Sequence, residues 1–167
     1  ADYSWATFWG IADFRVATFQ KRATFYEASF QGKASFNGAI FHEEASFEVV
    51  TFKEKVSFGR TTFKGKANFR DAIYENTADF FSATFEDETD FNRSIFEGEV
   101  FFTGWEEFSL FSGKSPSHFS SVRFVQPELV HFEGVNLSRA SFFKTDLREI
   151  HFRMSSGIRR RVGIVFS

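Results

Sequence analysis

The spacing of the aromatic residues constrains this chain more than any other feature. Tyr3, Phe8, Phe14, Phe19, Phe25, Phe30, Phe36, Phe41, Phe47, Phe52, Phe58, Phe63, Phe69, Tyr74, Phe80, Phe85, Phe91, Phe96 and Phe102 are separated by five and six residues in strict alternation, through 18 intervals. So regular a period marks a repeat architecture, and it has to be satisfied before any local propensity is. Two residues before each aromatic stands a small or β-branched side chain: Ala in 13 of 19 cases, otherwise Val50, Val56, Val100, Thr61, Thr89 or Ser94. The residue between them is usually Thr, Ser, Asp or Asn. The unit is small, polar, aromatic.

A period of eleven is also that of a right-handed helical coiled coil. On a helix, however, steps of five and six turn roughly 140° and 240°, so the rings would surround the axis. Recurrent Thr, Ser and Gly also weaken a long helix. A strand satisfies the pattern, because alternation puts the small residue and the ring on one face and the polar residue on the other. Each short strand then ends in a corner of two or three residues. Glycines such as Gly32 in Gln31-Gly32-Lys33 and Gly65 in Lys64-Gly65-Lys66 are read there as supplying positive φ. Chain that turns every five or six residues with the same groups inward must coil. If four units close one coil, Phe14, Phe36, Phe58, Phe80 and Phe102 stack in one column, and Phe8, Phe30, Phe52, Tyr74 and Phe96 in another. Burial in such a core accounts for the 28 Phe residues.

The small-polar-aromatic unit resembles that of the pentapeptide-repeat family, whose units read roughly A(D/N)LXX with a central Leu or Phe. The likeness is closest where the spacing is strictly five, at Phe132, Leu137, Phe142, Leu147 and Phe152, with Val130, Val135, Ala140, Thr145 and Ile150 two places earlier. Asn136-Leu137-Ser138-Arg139-Ala140-Ser141-Phe142 reads directly as the family's motif. The resemblance implies an all-β fold, a right-handed quadrilateral β-helix with four units per coil. Over positions 1–102 the chain departs from it by one extra residue at every second corner, giving twenty-two per coil in place of twenty.

The solenoid is expected over residues 1–152, with residues 153–167 as a C-terminal tail or cap. Within the solenoid the rhythm breaks near 103–118, through Gly104-Trp105-Glu106-Glu107 and Pro116, and near 125–131, around Pro127. Pro and Gly there read as excursions from the coil, where recognition residues tend to sit. Arg159-Arg160-Arg161 leads into the apolar end of the tail. The start lies already inside the repeat and lacks Met, as an excised or processed piece of a longer protein does. Trp5, Trp9 and Ile11 make the first coil unusually apolar.

Charge is segregated along the chain: +3 over residues 1–70, −10 over 71–107 and +5 over 108–167. The candidate partner-binding residues are the acidic Glu75, Glu86, Asp87, Glu88, Asp90, Glu97 and Glu99, with Trp105 from the first excursion. They are expected to form a belt around the axis that docks a basic protein partner. Carboxylates are also ligands for calcium or magnesium, but no loop of the Asp-x-Asp-x-Asp-Gly type is present, and no metal or cofactor is expected.

Chemistry-bearing motifs are absent. His42, His118, His131 and His151 lie in no nucleophile or zinc pattern, and neither phosphate-binding glycine motif occurs. With no Cys, thiol catalysis and disulfide scaffolding are excluded. No apolar run is long enough to span a bilayer, and no signal peptide is visible, so a cytoplasmic location is expected. The reading is therefore a non-catalytic scaffold for protein–protein interaction, with open coil edges that also allow end-to-end self-association. An alternative follows from the resemblance: some family members are similar to duplex DNA in size and charge and modulate type II topoisomerases. That role needs acidic groups running along the axis, whereas these acids occupy fewer than two successive coils. A Thr-lined ice-binding face is weaker still, because the column of Thr7, Ser29 and Thr51 continues as Ile73 and Ile95.

Overall fold

The computed structural model describes residues 1–104, 110–111 and 114–153. Strands of two to four residues stack in parallel into four sheets, one for each side of a quadrilateral β-helix. Face I holds Thr7–Phe8, Ser29–Phe30, Thr51–Phe52, Ile73–Tyr74, Ile95–Phe96 and Arg123–Phe124. Face II begins at Ala12–Asp13 and Ala34–Ser35, continues through Val100–Thr103 and Val130–Glu133, and ends at His151–Arg153. Face III runs from Thr18–Phe19 to Thr84–Phe85, and face IV from Ala23–Thr24 to Ala140–Ser141.

The expected columns form. Thr7 lies beside Ser29 and Ala34 beside Val56, so one coil carries the chain through four units, two of five and two of six. Phe14, Phe36, Phe58, Phe80 and Phe102 stack in turn, and the column continues through Phe132 to Phe152. Neighbouring rings in a column lie 4.4 to 5.4 Å apart and within 20° of parallel. That spacing is the strand separation of a sheet, imposed on the side chains by the backbone ladder. Rings of faces II and IV also meet edge to face across the centre, as Phe36 meets Phe47 at 5.2 Å and 85°. Such offset and edge-on geometry suits the ring quadrupoles. The column rings from Phe25 through Phe102 are buried, and the Ala, Val, Thr or Ser two residues earlier is buried beside each. A larger side chain in that slot has no room.

The alternation of five and six has a backbone cause. Corners IV/I and II/III, inside the five-residue units, are tight β-turns closed by bonds such as Ala17 N–H to Phe14 O (3.2 Å) and Ala28 N–H to Phe25 O (2.9 Å). Their third residue takes positive φ: Trp5, Val16, Glu27, Gly38, Val49, Arg60, Asp71, Ser82 and Arg93 recur at every second unit. The polar slot before the ring caps the same turn. Asp13, Asn68, Asp79 and Asp90 each accept the N–H two residues on, at 2.7 to 3.0 Å. Corners I/II and III/IV, inside the six-residue units, are wider and carry three residues between the buried ring and the next small residue.

The positive φ expected at Gly32 and Gly65 is absent. Both residues sit at wide corners. A Cβ on Gly32 would stand 2.6 Å from the Gly10 carbonyl oxygen, and one on Gly65 2.6 Å from the Glu43 carbonyl carbon. Glycine is required there because the preceding coil passes too close. Positive φ falls at the tight corners, mostly on residues that are not Gly.

The coil absorbs its irregularities without breaking its columns. Val100 pairs with Val130, which makes that coil longer than those before it. His131 pairs with His151, a shorter coil equal to the family's four units of five. Around Pro127 the extra chain forms a 3-10 turn at Pro127–Leu129. Trp105, Glu106 and Glu107, and residues 154–167 of the tail, lie outside the described residues.

Candidate functional site

The acidic candidates lie on neighbouring coils but divide between opposite corners. Glu75, Glu97 and Glu99 stand on the wide corner I/II, whereas Glu86, Asp87 and Glu88 stand on the wide corner III/IV. Asp90 is on a strand of face IV, where its carboxylate accepts the Asn92 N–H at 2.7 Å and holds the following turn. Trp105 lies outside the described residues.

Corner III/IV alternates in sign coil by coil. Lys21 and Arg22 stand over Glu43 and Glu44, then come Lys64 and Lys66, then Glu86, Asp87 and Glu88. The rows are bonded: Lys21 to Glu43 at 3.0 Å, Arg22 to Glu44 at 3.5 Å and Lys66 to Glu88 at 2.9 Å. Hydrogen bonding from Lys21 lowers the Glu43 pKa, and that to Glu88 raises the Lys66 pKa. His118 Nε2 lies 3.9 Å from Glu88, and Asp87 accepts the Glu88 N–H at 2.7 Å. Of the acids predicted for this corner, Glu88 is thus paired within the chain while Glu86 and Asp87 are in no ion pair among the described residues, and solvent screening keeps such exposed pairs weak.

Corner I/II is organised differently. From the first coil to the sixth it carries Trp9 and Ile11; Lys33; Lys53, Glu54 and Lys55; Glu75; Glu97 and Glu99; then Val125 and the 3-10 turn. Among the described residues, Lys33, Lys53, Lys55, Glu75 and Glu97 are in no ion pair. Glu99 alone has a neighbour, His131 Nε2 at 3.5 Å, whose ring stacks on Phe101 at 4.9 Å. The strip is thus apolar at one end, basic, then acidic. Sequence reasoning found its acids and missed its order, because the separation of I/II from III/IV appears only when the residues are counted by half-coils.

No three His, Asp or Glu side chains gather as a metal-binding group among the described residues. No helix there is long and apolar enough to cross a membrane.

This geometry defines a β-solenoid of short parallel strands with a ring-filled interior. The chain matches the family model described as Pentapeptide repeats (9 copies) over residues 14–62, 25–73 and 58–106. It belongs to the pentapeptide-repeat family. No curated protein and no solved structure matches it.

Proposed function

We propose that this chain is a non-catalytic scaffold whose rigid prism presents charged rows to a protein partner, chiefly along corner I/II. The carrying observation is that Lys33, Lys53, Lys55, Glu75 and Glu97 of corner I/II are in no ion pair among the described residues, whereas on corner III/IV Lys21, Arg22 and Lys66 pair with Glu43, Glu44 and Glu88, leaving Glu86 and Asp87 as its acids without an ion pair. Unpaired charge held at fixed intervals on a rigid frame retains its full capacity to attract a complementary surface. The test is affinity capture by the immobilised chain from an extract of its native organism, comparing wild type with E75K/E97K/E99K and with E86K/D87K/E88K. Salt-eluted proteins retained by the second variant and lost by the first support the reading. Equal capture by all three chains overturns it.

Modulation of a type II topoisomerase by DNA mimicry is less well supported. A duplex presents continuous acidic rows along its axis, and corner III/IV alternates instead between basic and acidic coils. Addition of the chain to a gyrase supercoiling assay is expected to leave the reaction unchanged.

A further inference from the structure

We propose that corner I/II is a self-association surface on which two copies of this chain dock side by side and antiparallel. This inference rests on the reading of the strip as a docking surface and names its occupant. The strip is complementary to its own reverse. A two-fold axis crossing it between the third and fourth coils sets coil one against six, two against five and three against four. Lys33 of one copy then meets Glu97 and Glu99 of the other, and Lys53 and Lys55 meet Glu75. Glu54 falls opposite Asn76, whose amide can donate to it.

The ends match as well. Trp9 is 81 % exposed and Ile11 79 %, and on this axis they face Val125, 48 % exposed, beside the turn at Pro127–Leu129. No other coil in the described residues exposes apolar side chains of that size on this corner. Every contact occurs twice, as an isologous interface requires. A parallel arrangement in register would instead oppose like charges, so the charge order selects the antiparallel one. Self-association here runs along the flank of the solenoid, distinct from an end-to-end stack through coil edges.

The strip is roughly 25 Å long, at about 4.8 Å per coil. An interface of that length and one corner in width lies at the small end of specific interfaces, on the order of 1,000 Å² in total. The dimer is accordingly weak, reversible and sensitive to salt, because its central contacts are exposed charges.

Sedimentation velocity over a concentration series tests this. The wild type is expected to dimerise at about 0.02 M salt and to weaken at least about tenfold at about 0.5 M, where screening shortens to a few ångströms. K33E/K53E/K55E makes the charges of the strip wholly acidic, and E75K/E97K/E99K makes them basic except at Glu54 and Glu128. Each is expected to be monomeric alone, and an equimolar mixture is expected to restore a heterodimer. Zero-length carbodiimide cross-linking of the wild type needs no variant. Lys33 and Glu97 lie three coils, about 14 Å, apart within one chain, so their cross-link marks contact between copies. A monomeric wild type, reversal variants that dimerise as the wild type does, or a mixture that fails to pair overturns the proposal. If the chain is monomeric while E75K/E97K/E99K still loses its captured protein, docking of a foreign partner stands and self-association falls. If the dimer forms and capture is equal for all chains, the opposite holds.

Discussion

Tyr74 is the one hydroxylated ring among the fully buried aromatics of its column, between Phe52 at 5.3 Å and Phe96 at 4.4 Å. Its hydroxyl has no hydrogen-bond partner, and burial raises its pKa well above the usual tyrosine value. Other buried hydroxyls on the small-residue position fare better: Thr61 donates to the Phe36 carbonyl at 2.7 Å. An unsatisfied buried hydroxyl costs about 1–3 kcal/mol, so Tyr74→Phe is expected to stabilise the protein by up to that amount. A urea titration showing a lower midpoint for the variant would contradict the assignment. Phe58 touches rings above, below and beside it, and Phe58→Ala is expected to lose about 3–5 kcal/mol through transfer and cavity terms in the same titration. Asp13 shows a different dependence. Bonds from the Arg15 side chain and N–H lower its pKa to about 2. A depressed carboxylate stabilises the fold above its unfolded pKa of about 4, and the contribution is lost as pH falls toward about 2. NMR titration of the Asp13 carboxyl resonance is expected to show a midpoint in that range, and Arg15→Ala is expected to return it toward the ordinary value.

At the scale of the element, two kinds of corner carry the design, and their distinction is written in the polar slot. Before tight corners the slot is Asp2, Asp13, Thr24, Ser35, Ser46, Ser57, Asn68, Asp79 or Asp90, which can accept a nearby N–H. Before wide corners it is Thr7, Thr18, Ser29, Ile40, Thr51, Thr62, Ile73, Thr84 or Ile95, all but Ser29 β-branched residues suited to a flat strand surface. The strand, the inward ring and the small partner were legible because period and alternation are properties of sequence alone. The corner chemistry was not, because positive φ is carried by residues such as Val49 and Arg60 that do not advertise it. The site was legible to the same extent: acids were visible, but their division between corners depends on how half-coils face one another. A β-branched residue at φ 59° is strained, so Val49→Asn, which tolerates this conformation, is expected to raise the melting temperature. Gly32→Ala is expected to lower it, at a cost of about 1–3 kcal/mol, because the new Cβ meets the Gly10 backbone. Calorimetry of both variants separates the two roles of small and turn residues: one limits φ, the other limits space.

Across the whole molecule, each coil is bonded only to the coils beside it, yet its length is not constant. The register steps from Ile73 to Ile95 in the regular part, then lengthens from Ile95 to Arg123 and again from Val100 to Val130. It shortens from Ser117 to Ala140 and once more from His131 to His151. Stability in such an array is local and propagates from neighbour to neighbour. Held by its two ends in an optical trap, the chain is therefore expected to come apart as a sequence of rips rather than one. An extended residue spans at most about 3.3–3.6 Å, so the coil from Ile73 to Ile95 releases roughly 75 Å of slack and that from Val100 to Val130 about 100 Å. The unequal coils thus give the solenoid a mechanical bar code: the step lengths in a force–extension trace report which coil has let go, and from which end the prism unwinds.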